Sequence, residues 1–189
     1  MLYLASQSPR RRQLLEQIGV AYGTVNVDVP EARAPGEPPE DYVSRVAREK
    51  AGAGLLALSG VRDAVVLGAD TEVVLDDAVF GKPQDVAHAT AMLGRLSGRT
   101  HRVISAVWCL SAGREEHVLN LNDVTFASLS EDDITRYVAS GEPMGRAGAY
   151  AIQGRAAAFI RELRGSYSGV MGLPLFETAA LLRRFGIAA

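Results

Sequence analysis

The apolar positions of this chain switch between two rhythms, and each switch marks an expected element. Residues 1–5, MLYLA, form a short apolar run that reads as a strand. In the following SQSPRRR, Ser8 suits a helix N-cap and Pro9 the first helical position. Leu14, Leu15 and Ile18 then share one side, and Gly19 predicts the stop. A Pro/Gly/Glu-rich stretch over 29–40 predicts a loop. From Pro39 to about Leu58 apolar residues return at helical spacing, with Tyr42, Val43, Val46 and Ala47 on one face and Lys50 one turn further.

The stretch AVVLGADTEVVL, 64–75, reads as a strand, a break at Gly-Ala-Asp-Thr, and a second strand. Asp76-Asp77 predicts a hairpin into Val79-Phe80, closed by Gly81-Lys82-Pro83. A helix is expected over 85–96 with Val86, Ala89, Leu93 and Leu96 inward, then two long neighbouring strands over 100–110 and 117–127. In SEDDITRYVASG, Ser130 is the N-cap, Asp133 its capping-box partner and Gly141 the stop. GRAGAYAIQG and GSYSGVMGLP read as Gly-rich loops around a strand, AAAFIREL. A last helix over 174–185 turns Leu175, Ala179 and Leu182 inward. Interleaved strands and helices with hairpins predict a mixed α/β sheet flanked by helices, in one domain over 1–189.

Composition narrows the class. With 48% hydrophobic and 22% charged residues the chain can build a substantial core, and a net charge of −2 disfavours nucleic acid or a membrane surface as partner. The N-terminal apolar stretch is short and runs into arginines, so a signal peptide is not expected, nor is a membrane span. Cys109 is the only cysteine, which excludes an internal disulfide and a Cys-based zinc site. A cytoplasmic enzyme or binding protein fits these bounds. Of 20 basic residues only two are lysine, Lys50 and Lys82, which draws attention to where a compact ammonium is kept.

Arg10, Arg11 and Arg12 stack cations at a helix N-terminus, where the dipole repels them. An anion site would account for this, since free N–H groups, the dipole and guanidinium forks all favour phosphate. Three solvated arginines are the other reading. Standard phosphate fingerprints are missing, His88, His101 and His117 have no metal-ligand spacing, and Ser168 lacks a Gly-x-Ser-x-Gly elbow. Asp70, after a buried-strand pattern, is the best acid; it is either presented to a cleft or satisfied locally in a turn. Glu31 is a second acid, on the loop before the second helix. Lys50 either snorkels or leans into a cleft, and Lys82 in GKP is either aimed or solvated.

Taken in order, LASQSPRR, REKA, GADTEVV, GKP, GAYAIQG and GSYSGVMGLPLFET resemble the Maf family of nucleoside triphosphate pyrophosphatases across nearly the whole chain. The resemblance implies an inosine-triphosphate-pyrophosphatase-like fold with two lobes around a nucleotide cleft. It implies hydrolysis of a nucleoside triphosphate to the monophosphate and pyrophosphate, assisted by a divalent metal, Mg²⁺ or Mn²⁺. Asp70 takes the general-base position, with Lys50 and Lys82 at the family's lysine positions. Ser6, Ser8, Arg10 and Arg11 fall in the phosphate-binding motif; for the metal, the expected carboxylates are Asp70 and, from its place on the loop rather than from the resemblance, Glu31. Arg10, Thr71 and Gln153 match positions linked to base choice. AYAIQG looks like the branch acting on dTTP and UTP, with CTP or modified pyrimidine nucleotides as further candidates, rather than the 7-methyl-GTP branch. Glu72 departs from the apolar residue expected after Thr71. The resemblance leaves a homodimer open. A non-catalytic nucleotide-binding regulator linked to septation would share every phosphate-binding residue, and a nucleotidyltransferase would need an acceptor pocket as well.

Overall fold

The computed structural model describes residues 1–189. Its strands are β1 (Leu2–Ala5), β2 (Tyr22–Thr24), β3 (Val65–Leu75), β4 (Ala78–Phe80), β5 (Thr100–Ser111), β6 (Arg114–Phe126) and β7 (Ile160–Arg164). They form one sheet in the order β2–β1–β3–β5–β6–β7, with β4 added to β3. The sheet is mixed, as expected: β1 runs parallel to β2 and β3, while β3–β4 and β6–β7 are antiparallel. The helices are α1 (Pro9–Gln17), α2 (Pro39–Ala57), α3 (Val86–Leu96), α4 (Glu131–Ala139), α5 (Tyr167–Met171) and α6 (Leu175–Arg184). None is long and apolar enough to cross a membrane. The chain divides into two compact units, one of Met1–Asp70, Ser105–Asn120 and Gly172–Ala189, the other of Thr71–Ile104 and Leu121–Met171.

In the first unit, β1 and β3 are registered Leu2↔Val65 to Ala5↔Gly68. The apolar stripe of α2, Tyr42, Val43, Val46 and Ala47, is buried as its spacing predicted. The expected break at Gly-Ala-Asp-Thr does not occur, because β3 runs unbroken from Val65 to Leu75. Gly68 serves another purpose: a Cβ there would lie 2.4 Å from the Ala47 carbonyl oxygen and 2.5 Å from the Ala51 nitrogen. The glycine lets helix and strand backbones touch. Gly19, at φ +70, ends α1 as expected. The short β2 had no periodic signal in its three residues. On α6 the buried face is Thr178, Leu181 and Leu182, about one position round from the predicted stripe. Cys109 lies fully buried in β5, where desolvation pushes its thiol up to about 12.

In the second unit, Val73, Leu75, Phe80, Ala89, Leu93, Leu96, Val103, Phe126 and Tyr150 share one core. Asp76 and Asp77 both adopt positive φ, the geometry of a two-residue hairpin turn. The capping box of α4 is complete: Ser130 Oγ accepts from Asp133 N, and the Asp133 carboxylate accepts from Ser130 N. Three expectations need correction. Val86 is 62% exposed, so burial of the α3 stripe begins one turn later, at Ala89. AAAFIREL is strand only from Ile160; Arg155–Phe159 is a 3₁₀ turn whose Arg155 and Ala156 amides are taken by the Glu142 carboxylate. The second Gly-rich loop contains α5, started by the Ser166 hydroxyl accepting from Gly169 N.

Candidate active site

β1 and β3 run parallel and are paired from Leu2↔Val65 to Ala5↔Gly68, so Ser6 and Asp70 both lie just past the C-terminal end of that pairing, although β3 itself continues to Leu75. Asp70 is no turn carboxylate. It sits within β3 and is 5% exposed. Lys50, about two turns before the end of α2, donates to Asp70 Oδ1 at 2.7 Å, and its Nζ also lies 2.5 Å from Glu31 Oε1. Its side chain is only 12% exposed, so it points inward rather than snorkelling outward. One ammonium therefore stands between two carboxylates, and Asp70 Oδ2 is buried with no hydrogen-bond partner. A buried carboxylate oxygen without a donor is costly unless a cation or a proton donor visits it.

The donor set suits a hard cation. Glu31 and Asp70 offer oxygens only, and no group of three or more His, Cys, Asp or Glu is placed to hold a metal. Mg²⁺ is commonly held by one or two carboxylates plus substrate phosphates and water, so this pair is sufficient in kind.

The start of α1 differs from its prediction. Ser8 has the extended conformation of an N-cap, but its side chain makes no capping bond. Ser6 Oγ instead accepts from Ser8 N at 3.2 Å and from Arg11 Nη1 at 3.3 Å. Arg11 is 9% exposed, with its Nε donating to the Gly172 carbonyl at 2.8 Å. It braces the chain just before α6. Arg10 is half-buried and Arg12 exposed, in line with Arg12 as a solvated charge. No side chain of the first turn is acidic, so the dipole's positive end is left uncompensated from within α1.

The second unit carries the other expected residues. Thr71 is half-buried on β3, directly after Asp70, and Glu72 is 8% exposed within the same strand. Lys82 is exposed just beyond β4. Its neighbour Gly81 accepts from Gly148 N at 3.2 Å, which ties GKP to the GAYAIQG segment. Gly148 has φ +66, and a Cβ there would lie 2.7 Å from Val73 Cγ2. Ala149 adopts φ +58, a strained state for a residue with a Cβ. Gln153 is exposed four residues later. None of the histidines gathers ligands: His101 is buried against Phe126 and bonded to Tyr150 Oη at 2.8 Å, His88 Nδ1 accepts from Gln84 N, and His117 stacks on Trp108.

Two site-adjacent residues escaped the sequence reading. Arg45 on α2 and Glu37 on the preceding loop form a two-pronged ion pair at 2.7 and 2.9 Å. Their only signal was two opposite charges eight residues apart, one of them in a stretch without periodicity.

The family model described as Maf-like protein matches residues 1–185. A dTTP/UTP pyrophosphatase from Xanthomonas campestris pv. campestris is 59% identical over 188 residues, covering 98% of this chain and 99% of that protein. A nucleoside triphosphate pyrophosphatase from Xylella fastidiosa strain M23 is 56% identical over 186 residues, with 98% of each chain covered. Among solved structures, a nucleoside-triphosphatase / dITP/XTP pyrophosphatase from Mycobacterium abscessus overlaps 68% of this chain and 73% of its own, at 20% identity and a TM-score of 0.41.

Proposed function

Because this chain belongs to the Maf family, we propose that it hydrolyses nucleoside triphosphates, dTTP and UTP foremost, to the monophosphate and pyrophosphate. We place this activity in the cytoplasm with Mg²⁺ or Mn²⁺. The observation that carries the reading is Asp70: a buried carboxylate held at one oxygen by Lys50 and without a partner at the other.

Water adds to the α-phosphorus, the bond to the bridging oxygen breaks, and pyrophosphate leaves with that oxygen. The chain must accept the water's proton and stabilise charge on the phosphates. Asp70 Oδ2 accepts the proton, while the Lys50 ammonium on Oδ1 fixes the carboxylate's orientation. The dipole end of α1 and the Arg10 guanidinium receive phosphate charge. A divalent cation would be held by Asp70 and Glu31 and would supply charge neutralisation of the triphosphate. Lys82 as a phosphate-directed ammonium, and Thr71 and Gln153 in base choice, rest on the resemblance. Gln153 suits that choice chemically, because a side-chain amide can both donate to a pyrimidine carbonyl and accept from the ring N–H.

Pyrophosphate release across ordinary and modified nucleotides with Mg²⁺ or Mn²⁺ tests the reading. The wild type should favour thymine and uracil over purines. Asp70→Asn should lose turnover by roughly 10²-fold or more while still binding a non-hydrolysable triphosphate. Near-normal release by Asp70→Asn moves the base elsewhere. Binding without release by the wild type, on every nucleotide, makes the protein a regulator.

A further inference from the structure

Glu31 lies on a stretch of chain between β2 and α2 that has no regular secondary structure. A loop of that kind places a carboxylate reproducibly only if something outside it holds it. The holder is α2. Arg45 Nη2 donates to the carbonyl of Ala32, the residue after Glu31, at 3.0 Å. The same guanidinium grips both oxygens of Glu37, reaches Glu49 Oε1 at 3.1 Å, and lies 5.7 Å over the ring of buried Tyr42. Glu37 in turn closes the loop on itself. Its Oε2 accepts from Ala34 N at 2.9 Å, its carbonyl from Arg33 Nε at 2.6 Å, and its own N–H donates to Ala34 O.

Five residues after Arg45 on the same helix comes Lys50, the partner of Glu31 and Asp70. One helix thus grasps the loop twice, once by its backbone and once by its carboxylate. Partly exposed ion pairs contribute little to global stability, and the Arg45 side chain is 36% exposed. The fork geometry is worth more as a positioning device. Hydrogen bonds from Arg45 hold the Glu37 carboxyl down to about 2, so this partner stays ionised at any working pH.

We infer that Arg45 and Glu37 are positioning residues: their clasp on Ala32 sets the Glu31 carboxylate against Lys50 beside Asp70, and so governs divalent-cation binding without touching substrate. The inference deepens the reading of Glu31 as a cation carboxylate and rests on it. The test uses the full chain with Mn²⁺ alone, free Mn²⁺ being read by electron paramagnetic resonance, and then turnover of dTTP against Mn²⁺ concentration. Arg45→Gln and Glu37→Gln should each weaken Mn²⁺ binding about tenfold and raise the Mn²⁺ needed for half-maximal turnover equally, the usual scale for an outer-shell residue. Saturating Mn²⁺ should restore kcat with KM for dTTP unchanged, which general structural damage would not allow. Arg45→Lys should fall between, since an ammonium cannot form the fork.

In a Glu31→Gln background, Arg45→Gln should add less than about threefold, because the group it positions is gone. A full further tenfold loss there would overturn the clasp while leaving Glu31 its role. Wild-type Mn²⁺ binding by Glu31→Gln alone would overturn the reading of Glu31, and the clasp with it. Should Arg45→Gln fail to fold, Glu37→Gln makes the same comparison; unchanged Mn²⁺ binding in that folded variant would also overturn the inference.

Discussion

Replacing Gly68 by alanine pits two physical effects of opposite sign against each other. Gly68 does not have positive φ, so alanine fits the backbone conformation. Propensity alone then predicts a gain: about 0.4–1 kcal/mol from a less flexible unfolded chain, and about 0.8 kcal/mol from a buried methyl group. Sterics predict a loss. The new Cβ would stand 2.4 Å from Ala47 O and 2.5 Å from Ala51 N, where ordinary contact begins at 3.4 Å. Those atoms are helix backbone, so no side chain can swing aside, and the turn of α2 between them must retreat by about 1 Å. Overpacking of this kind lies at or above the upper end of its usual 1–3 kcal/mol range.

The net expectation is therefore a loss of about 2 kcal/mol, and a Tm lower by about 4–8 °C for a chain of this size. Lys50 rides on the displaced turn, so its 2.7 Å bond to Asp70 should lengthen and turnover should fall with stability. Urea unfolding followed by circular dichroism measures the first effect, and pyrophosphate release the second. A Gly68→Ala protein as stable as the wild type, or more so, would refute the argument that this glycine exists for the helix–strand contact.

Arg11→Ala should lower Tm, because the Gly172 carbonyl loses its buried donor at a cost of about 1–3 kcal/mol. Arg10→Ala should leave the melt unchanged yet weaken a non-hydrolysable triphosphate about tenfold; identical melts for both would erase the distinction. Burial holds His101 at about 4, below its ordinary value of about 6.5. The unfolded chain therefore takes up this proton first, so the His101 contribution is complete above about pH 6.5 and declines by about 3 kcal/mol in all towards pH 4. Urea midpoints between pH 7 and 4.5 should show that decline in the wild type and a shallower one in His101→Gln.

Long periodic segments were legible in advance: the stripe of α2, the hairpin at Asp76-Asp77 and the cap of α4 are local signals with local causes. Errors arose where a residue answers to a distant neighbour. Gly68 looks like a break in sequence because glycine usually interrupts strands, but its reason lies on α2. The alanines before Ile160 extend the apolar run of β7 without any strand preference of their own, and the Arg155 and Ala156 amides are claimed by Glu142. Within the site, Lys50, Glu31 and Asp70 could be named singly, whereas their convergence on one ammonium could not, being a matter of tertiary distance. The resemblance sets Arg10 and Arg11 together on phosphate and leaves Arg12 without a role; folding separates the first two, making Arg11 a buried brace on Gly172 and leaving Arg10 half-buried and Arg12 exposed.

The sealed thiol of Cys109 makes the molecule its own unfolding clock. At 0% exposure in β5, with its proton held to about 12, the group is inert to alkylating reagents until the strand opens. Its rate of modification in excess reagent thus reports how often the middle of the sheet parts, with no label to attach and no second cysteine to confuse the signal. The same silence makes the native protein a clean background. A cysteine introduced on any exposed helix would be the one that reacts, and a dye or spin probe would go where it was put.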